Sequence, residues 1–257
     1  MDHSHTAVFS RSAHTRHQPA QARQDFYSPQ GHDLPQRRYD IMYLDHAGQL
    51  REKNMLARAH AAFEQAFCVL KYGSIVKTRS GFVSVEDVLP GDTLQLADGT
   101  FDTVKWRGSV TLNPAEDIAS DALTRITPDA LGFNRPSPDL VLGHGARILH
   151  RAAGIKRVSG SDAAFIPAAD FVDGDNVLSL RPASQVSMVQ FGFNQQRCLM
   201  VNGIEVETLH PGSAFNLGLR GSSLRTFMSL FPHKHTFEDF GLMGTPRLRL
   251  KDLELLG

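Results

Sequence analysis

The chain has 257 residues, in which 27 basic side chains balance 27 acidic ones, so its formal net charge is zero. That balance excludes a generic nucleic-acid or membrane-surface binder, since both work through an excess of positive charge. With 41% hydrophobic and 21% charged residues, there is apolar material for the core of one large domain or two small ones, at roughly 150 residues per domain.

No apolar stretch approaches the roughly 18 to 20 residues that cross a bilayer, so no transmembrane segment is expected. The first residues, MDHSHTAVFSRSAHTRHQ, lack the basic-then-apolar order of a cleavable signal peptide. The two cysteines, Cys68 and Cys198, can pair in principle, but a fold of this size needs no staple, and two reduced thiols are the default. These features point to a cytoplasmic protein, with export by a route the N-terminus does not show left open.

Residues 1–36 carry Ser, His, Gln, Arg and Pro with almost no apolar periodicity and are expected to form a disordered polar tail. Five of the twelve histidines lie there (His3, His5, His14, His17 and His32), with no cysteine or carboxylate cluster to complete a ligand set, so neither a metal nor a cofactor is expected. Residues 37–71 read as a β-arm followed by an amphipathic helix. Tyr39-Asp40-Ile41-Met42-Tyr43-Leu44 is short and β-prone, Asp45-His46-Ala47-Gly48 is turn-like, and Asn54 caps a run with Leu56, Ala59, Phe63, Ala66, Phe67 and Leu70 at steps of three and four.

Residues 72–212 read as an antiparallel β-domain, because short apolar runs recur without helices between them. The expected strands lie at Ile75-Val76, Val83 to Val85, Leu94 to Leu96, Val104 to Trp106, Arg125 to Thr127, Leu140 to Leu142, Phe165 to Pro167, Val177 to Leu180, Val186 to Phe193 and Cys198 to Val201. Asp98-Gly99 and Asn202-Gly203 are hairpin signals. Glu205 and Glu207, alternating with Ile204, Val206 and Thr208, read as an outward-facing strand edge. In residues 213–257, Ser222 or Ser223 caps a helix from Leu224 to Phe231 that Pro232 stops, Phe231, Phe237 and Phe240 form a lid with Leu230, and a basic-apolar tail, Pro246 to Leu250, follows. The fold class is mainly β with helices at both flanks.

The stretch GSIVKTRSGFVSVEDVLPGD (Gly73 to Asp92), with the Asp98-Gly99 hairpin and Trp106 after it, resembles the opening of a Hint domain, the fold shared by inteins and the Hedgehog autoprocessing domain. DLVLGHGARIL (Asp139 to Leu149), AFIPAADFVDG (Ala164 to Gly174), VNGIEVETLHPG (Val201 to Gly212) and SLFPHKHTFEDFG (Ser229 to Gly241) are similar, in order, to a bacterial family of free-standing Hint-domain proteins. The resemblance implies an activity in which a Cys or Ser at the domain start attacks the preceding carbonyl while a His in a second block protonates the departing nitrogen.

The residues depart from that pattern. The nucleophile position, four before Gly73, is Val69, and Cys68 is one residue off. The second block, aligned through Arg147, puts Gly143 at the family's Ser, His144 at its Pro and Ala146 at its His. Positions where many members carry histidine hold Gln190 and Gln196. No terminal His-Asn pair exists; the last motif ends at Gly212 and 257 minus 212, or 45, residues follow. The expectation is a catalytically degenerate Hint-like scaffold for binding or presentation, with an unknown protein partner and an unknown oligomeric state. The alternative is a self-processing domain in which Cys68 attacks the Phe67–Cys68 bond, with His144 or His210 as proton donor, releasing residues 1–67. His210 also has Glu207 three residues before it and reads either as an acid/base partner in a cleft or as a structural histidine. A third reading has the histidine-rich tail or the flanking helices recruit a metal or partner protein.

Overall fold

A computed structural model describes residues 35–114, 122–213 and 217–254; the histidine tail lies outside the described residues. The chain begins with β1 (Gln36–Leu44) and β2 (Leu50–Arg58), joined by a turn in which Asp45 Oδ1 accepts the Ala47 and Gln49 N–H groups at 3.0 and 2.9 Å. Helix α1 (Ala61–Phe67) follows, then β3 (Leu70–Lys71), β4 (Ile75–Thr78), β5 (Gly81–Ser84), β6 (Thr93–Gln95), β7 (Phe101–Thr103), β8 (Trp106–Leu112), β9 (Leu123–Ile126), β10 (Leu140–Leu142) and β11 (Arg147–His150). Helix α2 (Ala153–Ser159) leads to β12 (Ala164–Pro167), β13 (Val177–Leu180), β14 (Val186–Gly192), β15 (Cys198–Val201) and β16 (Ile204–Glu207). Helices α3 (Gly221–Met228) and α4 (Leu250–Glu254) close the described chain.

The strands form two antiparallel sheets. One runs β13-β9-β10-β3-β14-β8-β1-β2, and the other runs β12-β11-β16-β15-β4-β6-β7 with β5 paired to β4. Both hairpin signals hold, because glycine and asparagine tolerate the left-handed backbone such turns need. Gly99 has φ 83° between β6 and β7, and Asn202 and Gly203 have φ 47° and 84° between β15 and β16. Asn202 adds a tertiary role, its Oδ1 accepting Ile75 N–H at 2.6 Å and its Nδ2 donating to the Asp139 carbonyl at 3.0 Å.

The structure corrects four local expectations. Asn54 is not a helix cap but a mid-strand residue of β2 opposite Asp40, in a ladder of nine residue pairs whose hydrogen bonds outweigh the local helical periodicity. The helix starts only at Ala61, where His60 Nδ1 accepts Ala62 N–H at 3.1 Å. The Asp98-Gly99 hairpin returns through Phe101–Thr103, and Trp106 instead opens β8 in the other sheet. Helix α3 starts at Gly221, with Arg220 at the N-cap position making no side-chain cap bond, and ends at Met228. Glu205 and Glu207 are buried, because β16 lies between β11 and β15 and has no free edge.

The main core, with Leu94, Ile126, Val189 and Val201, draws on strands of both sheets. A second core joins α1, β1 and β8 to the C-terminal helical region. Its centre is Trp106, fully buried, with Phe67 and Phe231 rings 5.2 and 5.1 Å away and its indole N–H donating to the Leu230 carbonyl at 2.9 Å. Phe231 and Phe240 thus cover one face of the β-domain. A small third core of Ile155, Ala164 and Ile166 receives Leu248, Leu250 and Leu253 from the end of the chain.

Replacing Trp106 by Phe removes the indole donor and strands the Leu230 carbonyl in an apolar site, at a cost of about 2 kcal/mol. The expected result is a melting temperature lower by about 4–8 °C. Circular dichroism is the readout, because Trp106 is the sole tryptophan; an unchanged melting curve would refute the contribution of this bond.

Candidate functional site

Cys68 lies at the C-cap of α1 and is completely buried. Its N–H closes a helical hydrogen bond to the Glu64 carbonyl at 2.7 Å, and the Phe67 carbonyl, the group an attacking thiol would need, accepts Val69 N–H at 3.2 Å. Val69 is also buried. Beneath them Glu64, with no exposed surface, accepts from Arg37 at 2.5 Å and from the Tyr39 hydroxyl. Burial and the Glu64 charge push the Tyr39 phenol well above its ordinary range. The segment before Cys68 is therefore tied into the fold through a buried ion pair.

The loop Gly143-His144-Gly145-Ala146 packs directly on this junction. Gly143 N–H donates to the Val69 carbonyl at 2.8 Å and Gly145 N–H to the Cys68 carbonyl at 3.0 Å. Side chains are excluded at both positions. A Cβ on Gly143 would sit 2.3 Å from the Cys68 carbonyl oxygen and 2.5 Å from its sulfur, and one on Gly145 would sit 2.4 Å from the Gln65 carbonyl oxygen. Ala146, at the position of the expected imidazole, is 1% exposed in the main core. His144 is half-buried in the turn between the two glycines, and His150 ends β11, where burial lowers its pKa.

Beside the junction, residues of α1, the 143–147 loop, β14 and the end of β16 enclose a cavity of about 30 Å³, room for a water or two. Gln190, Glu207 and His210 meet here, together with Arg147 and Arg247. Glu207 does not pair with His210. Its carboxylate accepts from Arg247 Nε at 2.9 and 3.0 Å and from Gln196 Nε2 at 2.5 Å, with Arg147 at 3.8 Å. Burial and the neighbouring Arg247 charge bring the Arg147 pKa down to about 10. Gln190 Nε2 donates to the Glu207 carbonyl at 3.3 Å, while Gln190 Oε1 accepts Phe191 N–H at 2.8 Å.

Both nitrogens of His210 are engaged. Nδ1 accepts Gly212 N–H at 3.0 Å, which leaves the ring proton on Nε2, where it donates to the Gly241 carbonyl at 3.1 Å. Burial first of all lowers its pKa, so the ring is neutral near pH 7. Cys198 lines a separate cleft with Arg151 and Glu205; burial pushes its thiol up to about 12, and Arg151 and Arg135 neutralise Glu205. Cys68 and Cys198 are both free thiols.

The structure thus seats Cys68 under the 143–145 loop and, beside it, brings Gln190, Glu207 and His210 to one cavity; Gln190 and Gln196 bond to Glu207, whereas His210 bonds to Gly212 and Gly241. Sequence reasoning missed Arg147 and Arg247. A signal existed for the second, since Arg247-Leu248-Arg249-Leu250 alternates with the period of a strand. Among the described residues, no three His, Cys, Asp or Glu side chains are grouped to hold a metal, and no helix is long and apolar enough to cross a membrane.

A family model described as the Hint domain matches residues 68–213, more than half of the chain. Among solved structures, the solution structure of a bacterial intein-like domain from Clostridium thermocellum is similar, with 12% identity and a TM-score of 0.38, over 55% of this chain and 97% of that one. No curated protein matches the chain.

The packing at Cys68 has two measurable consequences. Gly145→Ala drives a methyl group into the α1 backbone and is expected to destabilise the fold by about 1–3 kcal/mol in urea unfolding. A disulfide reagent such as Ellman's should leave Cys68 unmodified in the native protein and react with both thiols after denaturation; rapid native labelling of Cys68 would contradict its burial.

Proposed function

The chain belongs to the Hint-domain family, and we propose that it is a member that no longer cuts its own backbone and serves as a binding or presentation scaffold. The observation that carries this reading is the contact between the 143–145 loop and Cys68. Autoprocessing needs a mobile thiol, an accessible carbonyl before it and an imidazole at the departing nitrogen. The loop over Cys68 has glycines at 143 and 145, where an added Cβ would come within 2.3 Å of the Cys68 carbonyl oxygen and 2.4 Å of the Gln65 carbonyl oxygen, so neither position has room for an imidazole. The family's histidine position is Ala146, and the departing nitrogen would be a helical donor already bonded to Glu64.

Further support comes from the cavity. Amides and an ion pair stand where proton shuttles would be needed, and Gln190 and Gln196 cannot exchange protons at neutral pH. Arg247 lines the cavity and pairs with Glu207, so that carboxylate is neutralised without a substrate. This favours a site retained for its structure rather than for turnover.

One observation favours the alternative. The family match begins at Cys68 itself, the residue that would be the nucleophile in cleavage of the Phe67–Cys68 bond. Intact-mass spectrometry of the full chain after prolonged incubation with a thiol separates the two. A single unchanged mass, the same in wild type and Cys68→Ala apart from the substitution, is expected. A new species of residues 68–257 that disappears in Cys68→Ala would establish the self-processing reading instead.

A further inference from the structure

The segment Thr245–Leu250 is held by the domain as a ligand is held. It lies along the outer edge of β12 through a single parallel bridge between Phe165 and Arg247, with Phe165 N–H donating to the Pro246 carbonyl at 2.8 Å and Leu248 N–H to the Phe165 carbonyl at 3.1 Å. Its side chains alternate with the period of a strand. Arg247 reaches Glu207 and donates to the His210 carbonyl, and Arg249 makes two 2.7 Å bonds to Asp170. Leu248 and Leu250 enter the third core beside Ile155 and Ile166. Thr245 N–H donates to Gln196 Oε1 at 2.9 Å, which fixes the register at the start.

Two carboxylates, Glu207 at the end of the interior strand β16 and Asp170 in the turn after β12, with side chains only 3% and 8% exposed, thus meet arginines two residues apart on the arm. An apolar trough on the other side reads the aliphatic residues between and after them. Main-chain pairing supplies affinity without sequence preference, and the carboxylates and trough supply the preference. The segment joins the body through Leu242, Met243 and Gly244, all exposed, with Leu242 at 83%. Replacing the arm would leave the elements before it in place but requires the incoming segment to re-pair Glu207 and refill the third core.

We propose that the β12 edge, with Glu207 and Asp170, is a docking groove for an extended Arg-aliphatic-Arg-aliphatic segment of a partner protein, which the chain's own Arg247-Leu248-Arg249-Leu250 occupies in its absence. This names the partner class for the scaffold proposed above and rests on that reading. The tethered arm competes at an effective concentration of about millimolar, so the groove is selective for partners that bind more tightly than a single free peptide or are themselves concentrated.

The test uses full-length chains and a fluorescein-labelled peptide of residues Thr245–Glu254, read by anisotropy. Arg247→Ala/Arg249→Ala opens the groove by weakening the arm. Leu248→Pro/Arg249→Ala weakens it while leaving the Glu207 ion pair intact, in case the first variant fails to fold. The peptide is expected to bind a folded opened variant at least tenfold more tightly than the wild-type chain, and to lose at least tenfold when its own two arginines are alanine or when Asp170→Asn is added to the opened chain. Equal binding of a scrambled peptide to a folded opened variant would overturn the proposal. So would a wild-type dimer in size-exclusion chromatography that dissociates in the opened variants, since the groove would then serve exchange of arms between copies. Intact mass on the same samples reports self-cleavage separately: a cut chain would refute the scaffold reading, whereas an uncut chain with no peptide preference would refute only the groove.

Discussion

A carboxylate buried where the two sheets meet governs much of this structure. Glu207, 4% exposed, ends β16 in one sheet, and its carbonyl receives Gln190 from β14 in the other. An ionised group in such a place costs several kcal/mol unless it is paired and hydrogen-bonded. Gln196 and Arg147 contribute from the β-domain, but the short two-point contact comes from Arg247, some forty residues later in the chain. The docking of the C-terminal arm is therefore as much an electrostatic requirement as a packing one.

Arg37 and Glu64 solve the same problem at the other flank. A buried acid on α1 is neutralised by an arginine on β1, and the Tyr39 hydroxyl donates to its other oxygen. Both flanks are thereby attached to the β-domain through charges that cannot be separated cheaply once water is excluded. Between them lies Cys68, covered by two glycines whose absent side chains allow backbone-to-backbone contact. The closeness that makes this junction rigid also removes the space in which an imidazole would have to stand, so the scaffold reading and the stability of the junction share one physical cause.

Much of the fold was legible locally. Gly99, Asn202 and Gly203 adopt backbone angles few other residues accept, so the hairpins at Asp98-Gly99 and Asn202-Gly203 could be placed from two letters each. The order of short apolar runs yielded most strands. The helical recurrence from Asn54 held only for Ala61–Phe67; Asn54 to Arg58 joined β2 instead, because pairing with β1 supplied nine residue pairs that no local count includes. Glu205 and Glu207 misled for a related reason: polar alternation marks an exposed face only when nothing else on the fold supplies arginines to cover it.

The sequence by itself determined the family, the β-rich class and the turns, because these depend on residue identity and on intervals along the chain. Only the tertiary structure decided that Cys68 is sealed, that Gly143 and Gly145 are the residues sealing it, and that Arg247 belongs to the cavity. Those are distances between segments separated by tens to more than a hundred residues, and they are set by sheet order and by the need to neutralise buried charge, neither of which any local pattern encodes.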